Sequence, residues 1–200
     1  MKPTTQKVWS KTASKIRFTA ILFRPKESKA VTWTFLNLPK NASAALPTRS
    51  MTSVEGTLNG FPFGATLEPD GRGGHWLKVD RKLREAADAQ AGDVVTLEIA
   101  PAAEEPEPKV PADLRTALAA AVPKARAVWS DITPIARRDW IYWIVSAKQA
   151  ETRARRITTA CSMLAAGKRR ACCFDRSGMY GKSLSCPVAD ESLDGAARVP

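Results

Sequence analysis

His75 is the only histidine in the chain and follows Gly73-Gly74 at the head of a strand-like run. An imidazole there could line a pocket or bond a ligand, but a lone strand histidine is more often satisfied by a neighbour. Asn59, Phe61 and Phe63 flank an Asn-Gly turn. Together with His75 they are candidate ligand contacts, the rings supplying an apolar lip and the amide its hydrogen bonds. The structural alternative is a plug for the end of a barrel. A second set is cationic: Lys148, Thr152, Arg153, Arg155 and Arg156. At about 100° per residue, Lys148, Thr152, Arg155 and Arg156 share a broad polar helix face, and Arg153 edges the apolar one. Free amides at a helix start also favour anions, so a phosphate-bearing ligand or an acidic protein is the implied partner. The competing reading is a solvated charged face. Glu151 precedes Arg155 by one turn, as an intrahelical pair requires, and Arg153 could turn inward to cap carbonyls or hold a carboxylate.

Other chemistries lack support. Cys172, Cys173 and Cys186 offer three sulfurs without the paired Cys-x2-Cys spacing of a zinc site. Gly178-Met179-Tyr180-Gly181-Lys182-Ser183 has two residues between its glycines where a phosphate loop needs four. No serine, histidine and aspartate are spaced as a triad. No metal site, catalytic residue or cofactor is expected, and the chain reads as a binding protein rather than an enzyme.

Charge is unevenly placed within a net +11 over 200 residues. Residues 1–102 hold 15 Lys/Arg against 9 Asp/Glu, residues 103–122 hold 2 against 4, residues 123–170 hold 11 against 3, and residues 171–200 hold 3 against 4. The helical segment is therefore the basic pole, which suits phosphates, acidic proteins or nucleic acid. No run approaches the ~20 apolar residues of a membrane span. The N-terminus lacks the apolar core of a secretory signal. The first 160 residues contain no cysteine, unlike a secreted disulfide scaffold. A cytoplasmic monomer with reduced thiols is the expectation.

The elements that would position these residues follow from periodicity. Lys15–Arg24 and Ala30–Leu38 alternate as strands, Pro39–Ser50 reads as a loop, and Met51–Leu58 with Phe61–Leu67 forms a hairpin about Asn59-Gly60. A turn at Asp70–Gly74 leads into a strand through Val79. Asp80 caps a short helix over Arg81–Gln90, and Val94–Ile99 closes the set, suggesting a small barrel. Residues 101–111, with four prolines and three glutamates, predict an extended, hydrated linker. Leu114, Leu118 and Val122 mark a helix ending at Pro123. Thr133-Pro134 starts a second, with Ile141, Ile144 and Val145 as its apolar face beside Trp140 and Trp143. A third spans about Ala150 to Gly167.

Two blocks carry a family resemblance. VEGTLNGFPF, GRGGHWLKVDRKLREA and AGDVVTLEI, within residues 54–99, resemble a bacterial domain-of-unknown-function family with a double-split β-barrel. The run RRDWIYWIVSAKQAETRARRITTACSMLAAGKRRACCF, within 133–174, is similar to the YdeI/OmpD-associated, or bacteriocin-protection, family. Where that family places proline before Glu-Thr-Arg, this chain has Ala150. The resemblance implies an α+β chain: a small N-terminal double-split, AbrB/MazE-like β-barrel of about six strands with one short helix, then a helical domain of about three helices. The corresponding boundaries are 15–100, a linker over 101–111, helices over 112–170 and an irregular tail over 171–200. It also implies a link to stress or antimicrobial-peptide tolerance without a known chemistry. A weaker likeness joins Val79–Glu85 and Gly92–Val95 to AbrB/MazE barrels, which bind DNA as intertwined dimers, so a nucleic-acid-binding regulator is the alternative.

Overall fold

A computed structural model describes residues 15–26, 32–171 and 186–190. They form two compact units. One ends at Glu104 and also takes in residues 186–190; the other begins at Glu105.

The first unit contains β1 (Ile16–Ile21), β2 (Thr34–Asn37), α1 (Lys40–Ala44), β3 (Thr52–Leu58), β4 (Phe61–Pro69), β5 (His75–Val79), α2 (Arg81–Ala86) and β6 (Val94–Pro101). The strands are antiparallel in the order β1-β6-β3-β4-β5-β2. Just past β1, Phe23 exchanges two backbone hydrogen bonds with Phe35 of β2, at 2.7 and 2.9 Å, so the sheet returns on itself as a near-closed barrel. Period-two alternation fills it: Val54 and Leu58 of β3, Leu36 of β2, Leu77 and Val79 of β5, and Val95, Leu97 and Ile99 of β6 are buried together. Gly56 lies opposite Ile99, and a Cβ on it would stand 2.2 Å from the Glu98 carbonyl oxygen. Only hydrogen fits at that crossing.

Local chemistry sets the turns. Asn59 and Gly60 have φ of 48° and 83°, the left-handed pair a tight hairpin needs. The Asn59 Oδ1 also accepts from the Thr96 amide at 2.9 Å, pinning the turn to β6. Asp80 caps α2 by accepting from the Leu83 amide at 2.8 Å. That helix stops at Ala86 rather than Gln90, since Asp88 adopts φ 48° and turns the chain away. The expected loop 39–50 holds the short helix α1, whose Ser43 is held by His75.

The second unit has four helices instead of three: α3 (Ala112–Ala120), α4 (Pro123–Asp131), α5 (Pro134–Val145) and α6 (Ala150–Ala165). Pro123 begins α4 instead of merely ending α3, because a proline at the first helical position gives up no intrahelical bond. Thr133 caps α5, accepting from the Ala136 amide at 3.3 Å. The buried stripe of α5 is Ala136, Asp139, Trp140 and Ile144, a rotation from the expected face that leaves Val145 40% exposed. Trp140, fully buried, is the anchor that sets this rotation. Val122 is likewise exposed, outside the core formed by Leu114, Leu118, Ile157, Ala160 and Leu164. Gly167, at φ 84°, closes α6.

The two glycines of the β3–β4 ladder give a direct test of barrel packing. Gly56→Ala is expected to destabilise the barrel by about 2 kcal/mol or more, since the clash is with backbone. Gly64→Ala, whose Cβ would meet nothing nearer than 3.9 Å, should be close to neutral in urea unfolding.

Candidate functional site

The cationic candidates sit where α5 hands over to α6. α5 ends at Val145 and α6 begins at Ala150, with Gln149 in the cap position and no side chain closing the first amides. Arg153 faces inward to Asp113 at the start of α3, with Nε to Oδ2 at 2.6 Å and Nη2 to Oδ1 at 3.1 Å. This fork holds the Asp113 carboxyl below its usual range and raises the Arg153 guanidinium. Arg156 binds the end of α5: Nη1 donates to the Trp143 carbonyl at 2.5 Å and to Ser146 Oγ at 3.0 Å, and the guanidinium lies 5.4 Å from the Trp143 ring centre. Both arginines are therefore engaged within the unit.

Thr152 is half-buried, whereas Lys148 and Arg155 are exposed. Glu151 is exposed as well, and among the described residues no ion pair joins it to Arg155. The expected intrahelical pair is not made; two long exposed side chains gain little from holding one geometry. Lys148 and Arg155 thus remain as exposed cations beside an open helix N-terminus.

Four more arginines of the unit pair with carboxylates as Arg153 does. Arg138 pairs with Glu105, and Arg137 donates to Glu107 Oε2 at 2.7 Å, so the start of the acidic segment lies on α5. Arg169 reaches Asp131 of α4 at 2.5 Å, and Arg170 reaches Asp139 of α5 at 3.4 Å. Lys168 is exposed. Glu105, Glu107, Asp131 and Asp139 did not stand out in the sequence. The available signal was an acidic stretch preceding a basic helix, but not which acid meets which base.

The four barrel candidates do not converge. Asn59 and Phe61 lie at the β3–β4 turn, where Phe61 is 43% exposed and Phe63 packs against the barrel core. His75 pairs with Pro69 at the other end of β4. Eight residue steps of about 3.3 Å put those ends roughly 26 Å apart. His75 is buried, with Nε2 3.1 Å from the Ser50 carbonyl oxygen and Nδ1 2.6 Å from Ser43 Oγ. A carbonyl can only accept, so Nε2 carries the proton and Nδ1 accepts from the Ser43 hydroxyl. The ring ties α1 and the loop after it to β5, and has no free nitrogen for a ligand. Among the described residues no group of three or more His, Cys, Asp or Glu side chains is placed to hold a metal ion. Cys172, Cys173 and the Gly178–Ser183 run lie outside the described residues.

Burial lowers the His75 pKa from 6.5, against smaller opposing effects of the Ser50 carbonyl and Asp70. Above that value the ring is neutral in folded and unfolded chains alike. As pH falls below it, the unfolded chain takes up a proton that the folded one resists, so stability drops. The barrel is expected to lose stability as pH falls below about 6.5, at no more than about 1.4 kcal/mol per pH unit. His75→Gln should flatten that slope and cost about 1–2 kcal/mol at pH 7, read by urea unfolding at each pH.

Comparison with known proteins accords with this division. Residues 18–99 match the family model described as a domain of unknown function, DUF1905. Residues 107–167 match the model described as bacteriocin-protection, YdeI or OmpD-associated. No curated protein matches the chain. The second match begins within the acidic segment, which contributes Glu107 to α5. The chain is a two-domain protein in which a barrel matching the DUF1905 family model precedes a helical domain matching the model of the YdeI/OmpD-associated, bacteriocin-protection family.

Proposed function

We propose that the protein is a non-enzymatic binding protein whose helical domain engages an anionic partner, a phosphate-bearing ligand or an acidic protein, at Lys148, Arg155 and the open N-terminus of α6. The observation that carries this reading is where the unpaired cations stand. Arg137, Arg138, Arg153, Arg169 and Arg170 hold carboxylates and Arg156 holds α5. Of the exposed cations of the unit without a carboxylate, Lys109, Arg115, Lys124, Arg126, Lys148, Arg155 and Lys168, it is Lys148 and Arg155 that adjoin the uncapped first turn of α6 in the chain. Two cations and first-turn amides on the 16-residue helix α6 make a small anion-attracting surface. A role in stress or antimicrobial-peptide tolerance is the biological setting we infer, supported only by the family description. We place the protein in the cytoplasm as a monomer. No helix among the described residues is long and apolar enough to cross a membrane, Cys161 and Cys186 are free thiols, and one chain supplies all six strands of the barrel.

The nucleic-acid alternative draws on the AbrB-like likeness, but that likeness concerns barrels completed by two intertwined chains. Binding through Lys148 and Arg155 alone limits the salt slope of any nucleic-acid complex to about −2 in log–log terms. A much steeper slope in a mobility-shift series would favour the regulator.

Titration of inorganic phosphate into labelled protein, followed by amide NMR, separates binding from a merely solvated face. Amides of residues 150–153 are expected to shift with saturation. In Lys148→Glu/Arg155→Glu the apparent affinity should fall about tenfold while the helical circular dichroism stays unchanged. Unsaturable or uniform shifts would overturn the proposal.

A further inference from the structure

The described C-terminal segment, residues 186–190, lies on the barrel unit as an added strand. The Lys26 amide donates to the Val188 carbonyl at 2.9 Å, and the Asp190 amide donates to the Arg24 carbonyl at 2.8 Å. Pro25 and Ala189 are the antiparallel partners between them. Phe23, one residue before Arg24, uses its own backbone groups on Phe35 of β2. The stretch after β1 therefore closes the barrel with one edge and accepts an extended peptide on the other.

Beside that edge is an aromatic surface. Trp33, Phe35 and Trp76 have ring centres 6.2–6.5 Å apart, and Phe23 lies 5.7 Å from Phe35. Leu36 and Leu77 alternate with Phe35 and Trp76 and face the barrel core, so these rings stand on the outer face of β2 and β5. Phe35 is nonetheless fully buried and Trp76 is only 5% exposed. The Trp76 indole N–H is buried and meets no acceptor. Segment 186–190 comes next to it: the Cys186 thiol donates to Asn37 Oδ1 at 2.9 Å, and Asn37 is the cross-strand partner of Trp76. Yet that segment gives the indole nothing. Val188 is 62% exposed, so its side chain is no anchor there.

We propose that the Arg24–Lys26 edge and the adjoining Trp33, Phe35 and Trp76 face form an acceptor site for an extended peptide, held in the resting protein by the chain's own segment 186–190. The partner that displaces this segment is an extended peptide with a small residue opposite Pro25 and a side-chain acceptor for the Trp76 indole. Strand addition supplies its affinity through backbone bonds, and the indole supplies selectivity, because a buried donor left unmatched penalises peptides without an acceptor. The internal segment is tethered and acts at high effective concentration, so it masks the site against weak peptides only.

Cys186 reports on the segment. Docked, its thiol is pushed up to about 11, chiefly by burial; released, it returns to about 8.5 and alkylates readily. The test uses the full chain with Cys161, Cys172 and Cys173 replaced by serine. The probe is a synthetic peptide of residues 184–192 carrying Asn in place of Cys186. Millimolar peptide is expected to accelerate iodoacetamide labelling of Cys186 at pH 8 about tenfold or more, and a peptide with Ala at that position should do less. Trp76→Phe should erase the difference between the two. No acceleration by either peptide overturns the proposal. Asn37→Cys supplies an independent arm, since oxidation should join it to Cys186 within one chain and abolish peptide binding. A disulfide-linked dimer would name a second copy as the occupant, and failure to cross-link would show the segment undocked; either result also overturns the proposal.

Discussion

An arginine buried against a helix must find acceptors, most often a carboxylate, and that requirement organises the helical unit. Arg138 and Glu105 are 14% and 17% exposed, and Asp139 only 2%. At such burial neither ion has enough water to stand alone, and removal of one partner leaves the other uncompensated. The pairings join parts of the chain 30–40 residues apart: segment 105–107 to α5, α3 to α6, α4 and α5 to the residues after α6. The apolar core of Trp140, Ile144, Ile157 and Leu164 supplies driving force, and the ion pairs fix which faces meet. Part of the charge excess is thus spent inside the unit, while Lys124, Arg126, Lys148, Arg155 and Lys168 stay exposed without a carboxylate.

The barrel obeys a different constraint, the close passage of backbones. Gly56 allows β6 to cross β3, Asn59-Gly60 allows β3 to reverse into β4, and the Phe23–Phe35 bridge brings the ends of the sheet together. His75 works at the level below, as a neutral ring bonded on both nitrogens that holds α1 and the following loop. Its isolation in the sequence invited a ligand-binding role, but both of its hydrogen-bonding positions are occupied by the fold. Phe61, exposed at the hairpin, belongs to the opposite end of β4.

What could be read from the sequence was whatever short-range chemistry determines. Asp80, Asn59-Gly60, Thr133-Pro134 and Gly167 each act on neighbours a few residues away, and each does in the structure what its type and position imply. Sequence and structure part where a local signal has two physical outcomes. Pro123 ends one helix and starts another, and its ending α3 does not reveal α4. Val145 is apolar like a core residue, yet the size of Trp140 and the pairing of Asp139 turn the buried face of α5 elsewhere. The partners of Arg137, Arg138, Arg153 and Arg169 were not legible at all, since nothing in composition tells an arginine which carboxylate 30 or more residues away it will meet. The same holds for residues 186–190, which periodicity leaves as tail and the edge at Arg24–Lys26 receives as a strand.

A double-mutant cycle across Glu105 and Arg138, with Glu105→Gln, Arg138→Met and both together, measures the central claim most directly. Unfolding followed through the helical signal should give a coupling energy of about 1.5–3 kcal/mol, with each single change costing more than the pair replaced at once. A coupling below about 0.3 kcal/mol would contradict the account, leaving residues 105–107 as linker and returning Arg138 to the pool of cations available for binding.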